Sequence, residues 1–159
     1  MKCLIAYYSL SGTTEKLATA LAVYLEEKGH HVVIERIMPK KEYSALSAYA
    51  LGCMQASTNK RIELLPMKND VSKFDMLAVL SPTWAWRAAP PASSFVHSLK
   101  NAVKGQKAVA ITTHGGNPAK GPEELAGALK ERGFAVVSAF AVSGTGKFDP
   151  KIFEEKLKV

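Results

Sequence analysis

The sequence contains little that would support a metal site, a disulfide framework or a membrane span. Its two cysteines, Cys3 and Cys53, are far apart, and neither belongs to a CxxC pair or lies near other ligand-type residues. Structural zinc sites and disulfide-rich domains need such clusters. No apolar run reaches the roughly 18 residues of a membrane span, and no basic leader with an apolar stretch opens the chain. We therefore expect a cytoplasmic protein without a metal site or membrane span.

Acidic residues are also scarce. The 159 residues include 21 Lys and Arg but 14 Asp and Glu, which gives a formal net charge of +7. Such an excess favours an anionic partner without identifying it. The basic residues occur singly or in pairs, such as Lys40 and Lys41, and form no stripe interleaved with aromatic residues. We therefore expect no nucleic-acid partner.

Five short apolar runs predict five buried β-strands. They occupy residues 2–8, 31–37, 74–81, 107–113 and 134–142. Helical patterns lie between them, the first marked by Leu17, Leu21 and Leu25 and ended by Gly29. Because strands alternate with helices, we predict one α/β domain over residues 1–159, with a doubly wound, five-stranded parallel sheet in the order 2-1-3-4-5 and helices on both faces.

Residues 39–72 fit this alternation least well. The apolar positions within the stretch predict one helix, followed by an irregular surface connection. The positions that indicate the helix are Tyr43, Leu46, Ala50, Cys53 and Met54.

A cluster of hydroxyl side chains follows the first predicted strand. Ser9, Ser11, Gly12, Thr13 and Thr14 precede a helix, where unpaired amides and the positive end of the helix dipole meet. One hydroxyl would be enough to cap the helix, so this density favours an anion site. The loop lacks the GK[ST] ending of loops that bind nucleoside triphosphates. It also lacks the spaced glycines of dinucleotide-binding folds. A single phosphate group is the better fit.

This loop resembles the phosphate loop of the flavodoxins, which reads [ST]-x-[ST]-G-x-T before a helix. The stretch "SLSGTTEKLA" matches every specified position and directly follows an N-terminal strand. The resemblance covers the chain except residues 39–72, and it implies a flavodoxin-like fold with non-covalently bound FMN. It assigns the phosphate to Ser9, Leu10, Ser11, Gly12, Thr13 and Thr14.

A second loop, "SPTWAWRAAPP" at residues 81–91, carries both tryptophans of the chain. A planar heterocycle could stack there, whereas the alternative is that the tryptophans pack into the core. Flavodoxins often carry "PTW" in this loop with the tryptophan against the flavin ring. The resemblance therefore implies flavin contacts from Thr83 and Trp84, with Trp86 as the second choice. The neighbouring Pro82 and Ala85 are included in this predicted site.

A third loop, "TTHGGNPAKG" at residues 112–121, follows the fourth predicted strand and resembles the third flavin-binding loop of short flavodoxin-like proteins. Its glycine amides could face the pyrimidine edge of the flavin. The predicted contacts are Thr113, His114, Gly115 and Gly116. His114 is also open to an ordinary role as a loop residue.

Two features depart from the electron carriers among the flavodoxins, which are typically acidic. The second loop carries Arg87 and no carboxylate, so we expect reduced, anionic flavin to be stabilised. That loop also has Ala85 where many flavodoxins have a glycine, and a left-handed alanine would be strained.

The leading hypothesis is an FMN-binding protein that transfers electrons with a redox partner protein or NAD(P)H. One alternative is an NAD(P)H-dependent quinone reductase, and another is a non-redox binding or regulatory module of the same fold. The tryptophan loop and the helix near residues 43–56 could also form a homodimer surface.

Overall fold

In the computed structural model, residues 1–145 and 148–157 are described, and they form an α/β fold around one sheet. The strands are β1 (Lys2–Tyr7), β2 (His31–Arg36), β3 (Met76–Trp84), β4 (Arg87–Ala88), β5 (Lys107–His114) and β6 (Ala135–Ser143). The helices are α1 (Thr13–Glu27), α2 (Ala45–Ser47), α3 (Cys53–Ser57), α4 (Pro90–Ser98), α5 (Gly121–Glu131) and α6 (Lys151–Lys156). No helix within these described ranges is long and apolar enough to cross a membrane.

The sheet has the predicted topology. Five parallel strands follow the order β2-β1-β3-β5-β6, which is the predicted 2-1-3-4-5 order of the parallel strands. Tyr7 of β1 lies beside Leu80 of β3, and Pro82 of β3 lies beside Thr113 of β5. The carboxyl ends of these strands therefore meet at one edge, where this topology places its ligand crevice. The sixth strand, β4, was not predicted and pairs antiparallel with the end of β3.

Alternate side chains of the central strands enter two separate cores. Leu4 and Ala6 of β1 face the core on the α4 and α5 side, whereas Cys3 and Ile5 face the core beneath α1. The leucines that predicted α1 are fully buried in this second core. Both faces of the sheet are covered, so continuous apolar strands are satisfied on both sides.

The single helix predicted near residues 43–56 is a broken helical segment, and two of the apolar residues that indicated it are strongly exposed. A π-helical turn, Ala48–Gly52, separates α2 from α3. Leu46 is 80% exposed and Met54 is 52% exposed. The π-turn accommodates an extra residue and shifts the apolar pattern away from the core.

The buried face of this segment carries mostly small residues because it lies against a tryptophan ring. A Cβ atom on Gly52 would stand 2.7 Å from the Cζ3 atom of Trp84, a distance that a real side chain cannot adopt. Tyr43 and Ala48 complete the contact with the core. After α3 the chain is irregular, as predicted, up to a short 3₁₀ helix at Val71–Lys73. Within this stretch Leu64 forms an isolated antiparallel bridge with Pro39, which precedes α2.

We expect Gly52→Ala to reduce the free energy of unfolding by about 1–3 kcal/mol, because the added methyl group displaces the Trp84 ring. Urea denaturation measures the change. The matched control is Gly127→Ala in α5, where a Cβ meets nothing within 4 Å. This control should raise stability by about 0.5–1 kcal/mol through helix propensity. Equal effects of the two substitutions would contradict the packing described here.

Candidate functional site

A cavity of about 250 Å³ opens at the carboxyl edge of the sheet. Loops after β1, β3, β5 and β6 form its walls. The residues around it are Ser9, Leu10, Ser11, Thr13, Thr14, Pro82, Thr83, Trp84, Thr113, His114, Gly115, Gly144 and Thr145. The structure thus brings together eleven of the residues predicted from the three loops, whereas Gly12, Ala85, Trp86, Gly116 and the Arg87 side chain are not part of the lining.

The first loop leaves the amino end of α1 open. Gly12 stands at the N-cap with a φ of 89°, and no side chain in the described part of the chain caps the helix. The hydroxyl of Ser9 instead accepts a hydrogen bond from the Gly12 amide at 3.0 Å. Among the described residues, the amides of Thr13, Thr14 and Glu15 have no hydrogen-bond acceptor. The capping alternative is therefore not what the structure shows, and these amides are available to an anion.

The threonine hydroxyls of this loop have different surroundings. Thr14 is 1% exposed, and its hydroxyl is 2.8 Å from that of Thr113 at the end of β5. This buried contact joins the first loop to the third. The Thr13 hydroxyl lies 3.2 Å from that of Ser11, on the exposed side of the loop. Thr13 and Ser11 therefore present their hydroxyls beside the open end of α1.

The second loop is a tight hairpin. Thr83 pairs with Ala88 and Trp84 with Arg87, which leaves Ala85 and Trp86 as a two-residue connection. Their φ values are 46° and 64°, the pattern of a type I′ turn, which usually requires asparagine or glycine. Ala85 is thus held in the left-handed conformation that the sequence indicated would be strained.

The two tryptophans of the hairpin differ in burial and contacts. The Trp84 ring is half-buried and meets Tyr8 and Tyr43 edge to face, with ring centroids 5.7 and 5.2 Å away. Trp84 therefore packs against the core while still lining the cavity. Trp86 is 69% exposed at the hairpin tip. The Thr83 hydroxyl is buried beside the cavity and has no hydrogen-bond partner within residues 1–145 and 148–157.

The third loop contributes His114 and Gly115 to the cavity. Nδ1 of His114 accepts a hydrogen bond from the Gly116 amide at 3.2 Å, which leaves Nε2 as the protonated nitrogen of the neutral ring. The carbonyl oxygen of His114 accepts the amide of Gly144 at 2.8 Å. Gly116 thus orients the histidine instead of lining the cavity.

A fourth loop, after β6, was missed by the sequence analysis. A Cβ on Gly144 would stand 2.9 Å from Cγ2 of Thr13, so a glycine is required where this loop meets the first one. Thr145 adds another hydroxyl to the wall. The small residues that directly follow the last predicted strand were the available signal, because that strand ends at the same edge of the sheet.

The cavity lining contains no lysine, arginine, aspartate or glutamate among the described residues. Arg87, expected to place a free positive charge beside a ligand, forms an ion pair with Glu124, with its Nε 2.9 Å from Oε1. Its Nη1 also donates to the carbonyl oxygen of Ser57. The expectation of a free charge at Arg87 is therefore wrong, because α5 supplies a carboxylate beside the hairpin.

Two tyrosines at the end of β1 are tied to carboxylates next to the cavity. Tyr7 donates its hydroxyl to Glu15 at 2.9 Å, and Tyr8 donates to Glu42 at 3.0 Å. Burial, followed by the contact with Glu15, raises the pKa of Tyr7 to about 12. Burial and the charge of Glu42 raise the pKa of Tyr8 as well. Both side chains thus remain neutral donors at physiological pH.

Comparison with solved structures shows that this chain has the flavodoxin-like fold. A candidate flavoprotein from Bacteroides uniformis shares 22% identity with a TM-score of 0.77, over 98% of this chain and 98% of that one. A flavoprotein from Lactobacillus acidophilus, solved in complex with FMN, shares 21% identity with a TM-score of 0.63, over 89% of this chain and 91% of that one. A flavodoxin from the domain Archaea shares 19% identity with a TM-score of 0.63, over 98% and 90% of the two chains. No protein-family model and no curated protein sequence matches the chain.

The free energy of unfolding of the wild type should fall between about pH 10 and 12. We expect Tyr7→Phe to make this fall smaller. The pKa of Tyr7 rises from an ordinary value of 10.0 to about 12 in the folded protein. Tyr7 therefore holds its proton more tightly in the folded than in the unfolded chain. Its contribution is therefore complete below pH 10 and is lost as the pH rises through 12. Urea denaturation at several alkaline pH values measures the difference, and tyrosinate absorbance should lose one late-titrating group.

Glu15→Gln is the companion variant for this titration. It removes the carboxylate but leaves the burial of Tyr7, which is the larger cause of the raised pKa. We expect Glu15→Gln to bring the titration part of the way back towards 10. A Tyr7→Phe protein with the same alkaline stability profile as the wild type would contradict the assignment.

Proposed function

We propose that this protein binds FMN non-covalently in the cavity at the carboxyl edge of the sheet and transfers electrons through it. The FMN complex of the Lactobacillus acidophilus flavoprotein, which has the same fold, supports the choice of cofactor. Bound FMN would supply the redox chemistry, and the protein would supply the position and the electrostatic surroundings.

The open amino end of α1 is the observation that carries this proposal. The free amides of Thr13, Thr14 and Glu15 lie beside the hydroxyls of Ser11 and Thr13, and no side chain caps the helix. Amide and hydroxyl donors at a helix N-terminus suit a phosphate monoester, with no need for lysine or arginine. The uncharged donor set therefore fits the phosphate of FMN.

The remainder of the cavity suits the ring end of the cofactor. Thr83 has a buried hydroxyl without a partner, which could bond a polar ring atom. The Nε2 atom of His114 is the ring nitrogen left to donate, because Nδ1 already accepts the Gly116 amide. We assign Thr83, Trp84, His114 and Gly115 to the flavin ring, and we assign Trp86 a covering role at the hairpin tip.

Electron transfer with a protein partner is favoured over reduction of quinones by NAD(P)H. An attraction of the second loop for a phosphorylated nicotinamide would depend in part on Arg87, which is already paired with Glu124. The distinguishing assay is NADPH oxidation by FMN-loaded protein with a quinone present. Rapid turnover in that assay would select the reductase alternative.

We expect Thr13→Val to weaken FMN binding about tenfold or more and to leave riboflavin binding unchanged, because the lost hydroxyl would serve only the phosphate. Titration of the apoprotein, followed by flavin fluorescence, gives both affinities. Thr19→Val is the matched control, since Thr19 is exposed further along α1 and its hydroxyl donates to the carbonyl oxygen of Glu15.

Two results of this titration would contradict the phosphate assignment. One is equal FMN binding by the Thr13 and Thr19 variants, and the other is equal affinity of the wild type for FMN and riboflavin. If the purified wild type retained no flavin after incubation with FMN, the non-redox binding module would become the better hypothesis.

We expect the midpoint potential for reducing bound FMN to be less negative than in an acidic flavodoxin measured alongside. No carboxylate lines the described part of the cavity, so anionic reduced flavin meets little repulsion. Gly115→Asp places a carboxylate there, where a Cβ meets nothing within 4 Å, and Gly115→Asn is its neutral control. The potential of the Asp variant should be more negative than that of the Asn variant. Equal potentials for the two variants would contradict this expectation.

A further inference from the structure

Four large apolar side chains are exposed on the helical segment between β2 and β3. Leu46 is 80% exposed, Tyr49 82%, Leu51 40% and Met54 52%, and we call these four residues the outer patch. The opposite face of the segment already fills the core through its small residues, so the described chain provides no further packing for the patch. Large apolar groups gathered on one surface segment are typical of interaction sites.

The outer patch lies beside the cavity wall. The buried face of its segment packs against Trp84 through Gly52 and through Tyr43, whose ring centroid is 5.2 Å from that of Trp84. The hairpin is also tied to the end of α3, because Arg87 donates to the carbonyl oxygen of Ser57 at 3.4 Å. A protein bound to the patch would therefore lie close to the hairpin and to the proposed flavin ring.

The surface around the outer patch is positively charged. Lys41 and Lys60 are exposed and form no ion pair among the described residues. The carboxylates of Glu42 and Glu63 are already occupied by arginine and lysine, at 3.2 Å from Arg36 Nη2 and 2.9 Å from Lys40 Nζ. A symmetric pair of copies would bring four such lysines to the interface, with no unpaired carboxylate from Glu42 or Glu63 to balance them.

We propose that the outer patch, with Lys41 and Lys60 at its rim, docks an acidic electron-transfer protein that surrounds an apolar centre with carboxylates. This inference rests on the proposed function, because it names the partner of the same site. Apolar contacts at the patch would provide affinity, and the lysines would provide orientation and a fast, salt-sensitive encounter.

The test compares two forms of one protein that differ in charge. The probes are cytochrome c, which is basic, and succinylated cytochrome c, which is acidic. Binding of each to the full chain is measured by isothermal titration at low and at high salt, an assay that needs no flavin. Photoreduced, FMN-loaded protein is then mixed with each cytochrome, and each electron donated by the flavin converts one ferric haem to ferrous haem.

The variants change either the apolar or the charged part of the surface. Leu46→Ser with Tyr49→Ser removes the most exposed apolar groups, and its control is Val23→Ser on the outer face of α1, which is 50% exposed. Lys41→Glu with Lys60→Glu reverses the rim charge. Its control is Lys104→Glu with Lys130→Glu, which gives the same net charge on exposed positions at the opposite end of the sheet.

We expect the wild type to bind succinylated cytochrome c at least about tenfold more tightly than the native form at low salt, with the preference lost at high salt. Each patch or rim variant should weaken that binding about fivefold to tenfold, and each control variant should behave as the wild type. Equal binding of the two cytochromes, or equal effects of variants and controls, would overturn the proposal.

Two further outcomes separate this proposal from its neighbours. Binding in the expected pattern without haem reduction would support the docking surface and would count against electron transfer as the function. The wild type could instead sediment as a dimer, and the Leu46→Ser, Tyr49→Ser variant as a monomer. This result would overturn the proposal of an acidic partner and would show that the outer patch binds a second copy of the chain.

Discussion

The site depends on the unpaired amide groups in the first turn of α1. They face the cavity because β1 lies between β2 and β3 and delivers the chain to the carboxyl edge of the sheet. Gly12 then turns the chain into the helix with a positive φ, and its own amide is satisfied by Ser9. A capping side chain would have occupied the same donors. The loop thus combines a regular helix start with free capacity to bind an anion.

Trp84 and Trp86, in the loop across the cavity from α1, have different roles. Trp84 is clamped between Tyr8 and Tyr43, so it gives the cavity a rigid wall. Trp86 stays outside and can change its contacts without disturbing the core. This division would let one short loop serve both packing and the proposed binding of FMN.

Much of the architecture could be predicted because strands buried on both faces are continuous apolar runs, and such runs are easy to recognise. The hydroxyl loop was recognisable for a similar reason, since its residue types are unusually dense. The hairpin could not be predicted, because Ala85 and Trp86 lack the residues that favour a type I′ turn. The exposure of Leu46 could not be predicted either, because a π-turn changes the helical period and has no clear signal in the sequence. The role of Gly144 depends on contact with Thr13, which is distant in the sequence.

The left-handed backbone of the two hairpin-turn residues, Ala85 and Trp86, bears on how a structural change could pass across the protein surface. A strained turn persists only while its surroundings hold it, at a cost of order 1–3 kcal/mol for each such residue. Two contacts with the start of α5 hold the turn. Glu124 forms an ion pair with Arg87, and the amide of Lys120, the residue before α5, donates a hydrogen bond to the Trp86 carbonyl oxygen. The start of α5 therefore stabilises the conformation of the hairpin turn, and a displacement of that helix would change the contacts that hold Trp86 at the hairpin tip.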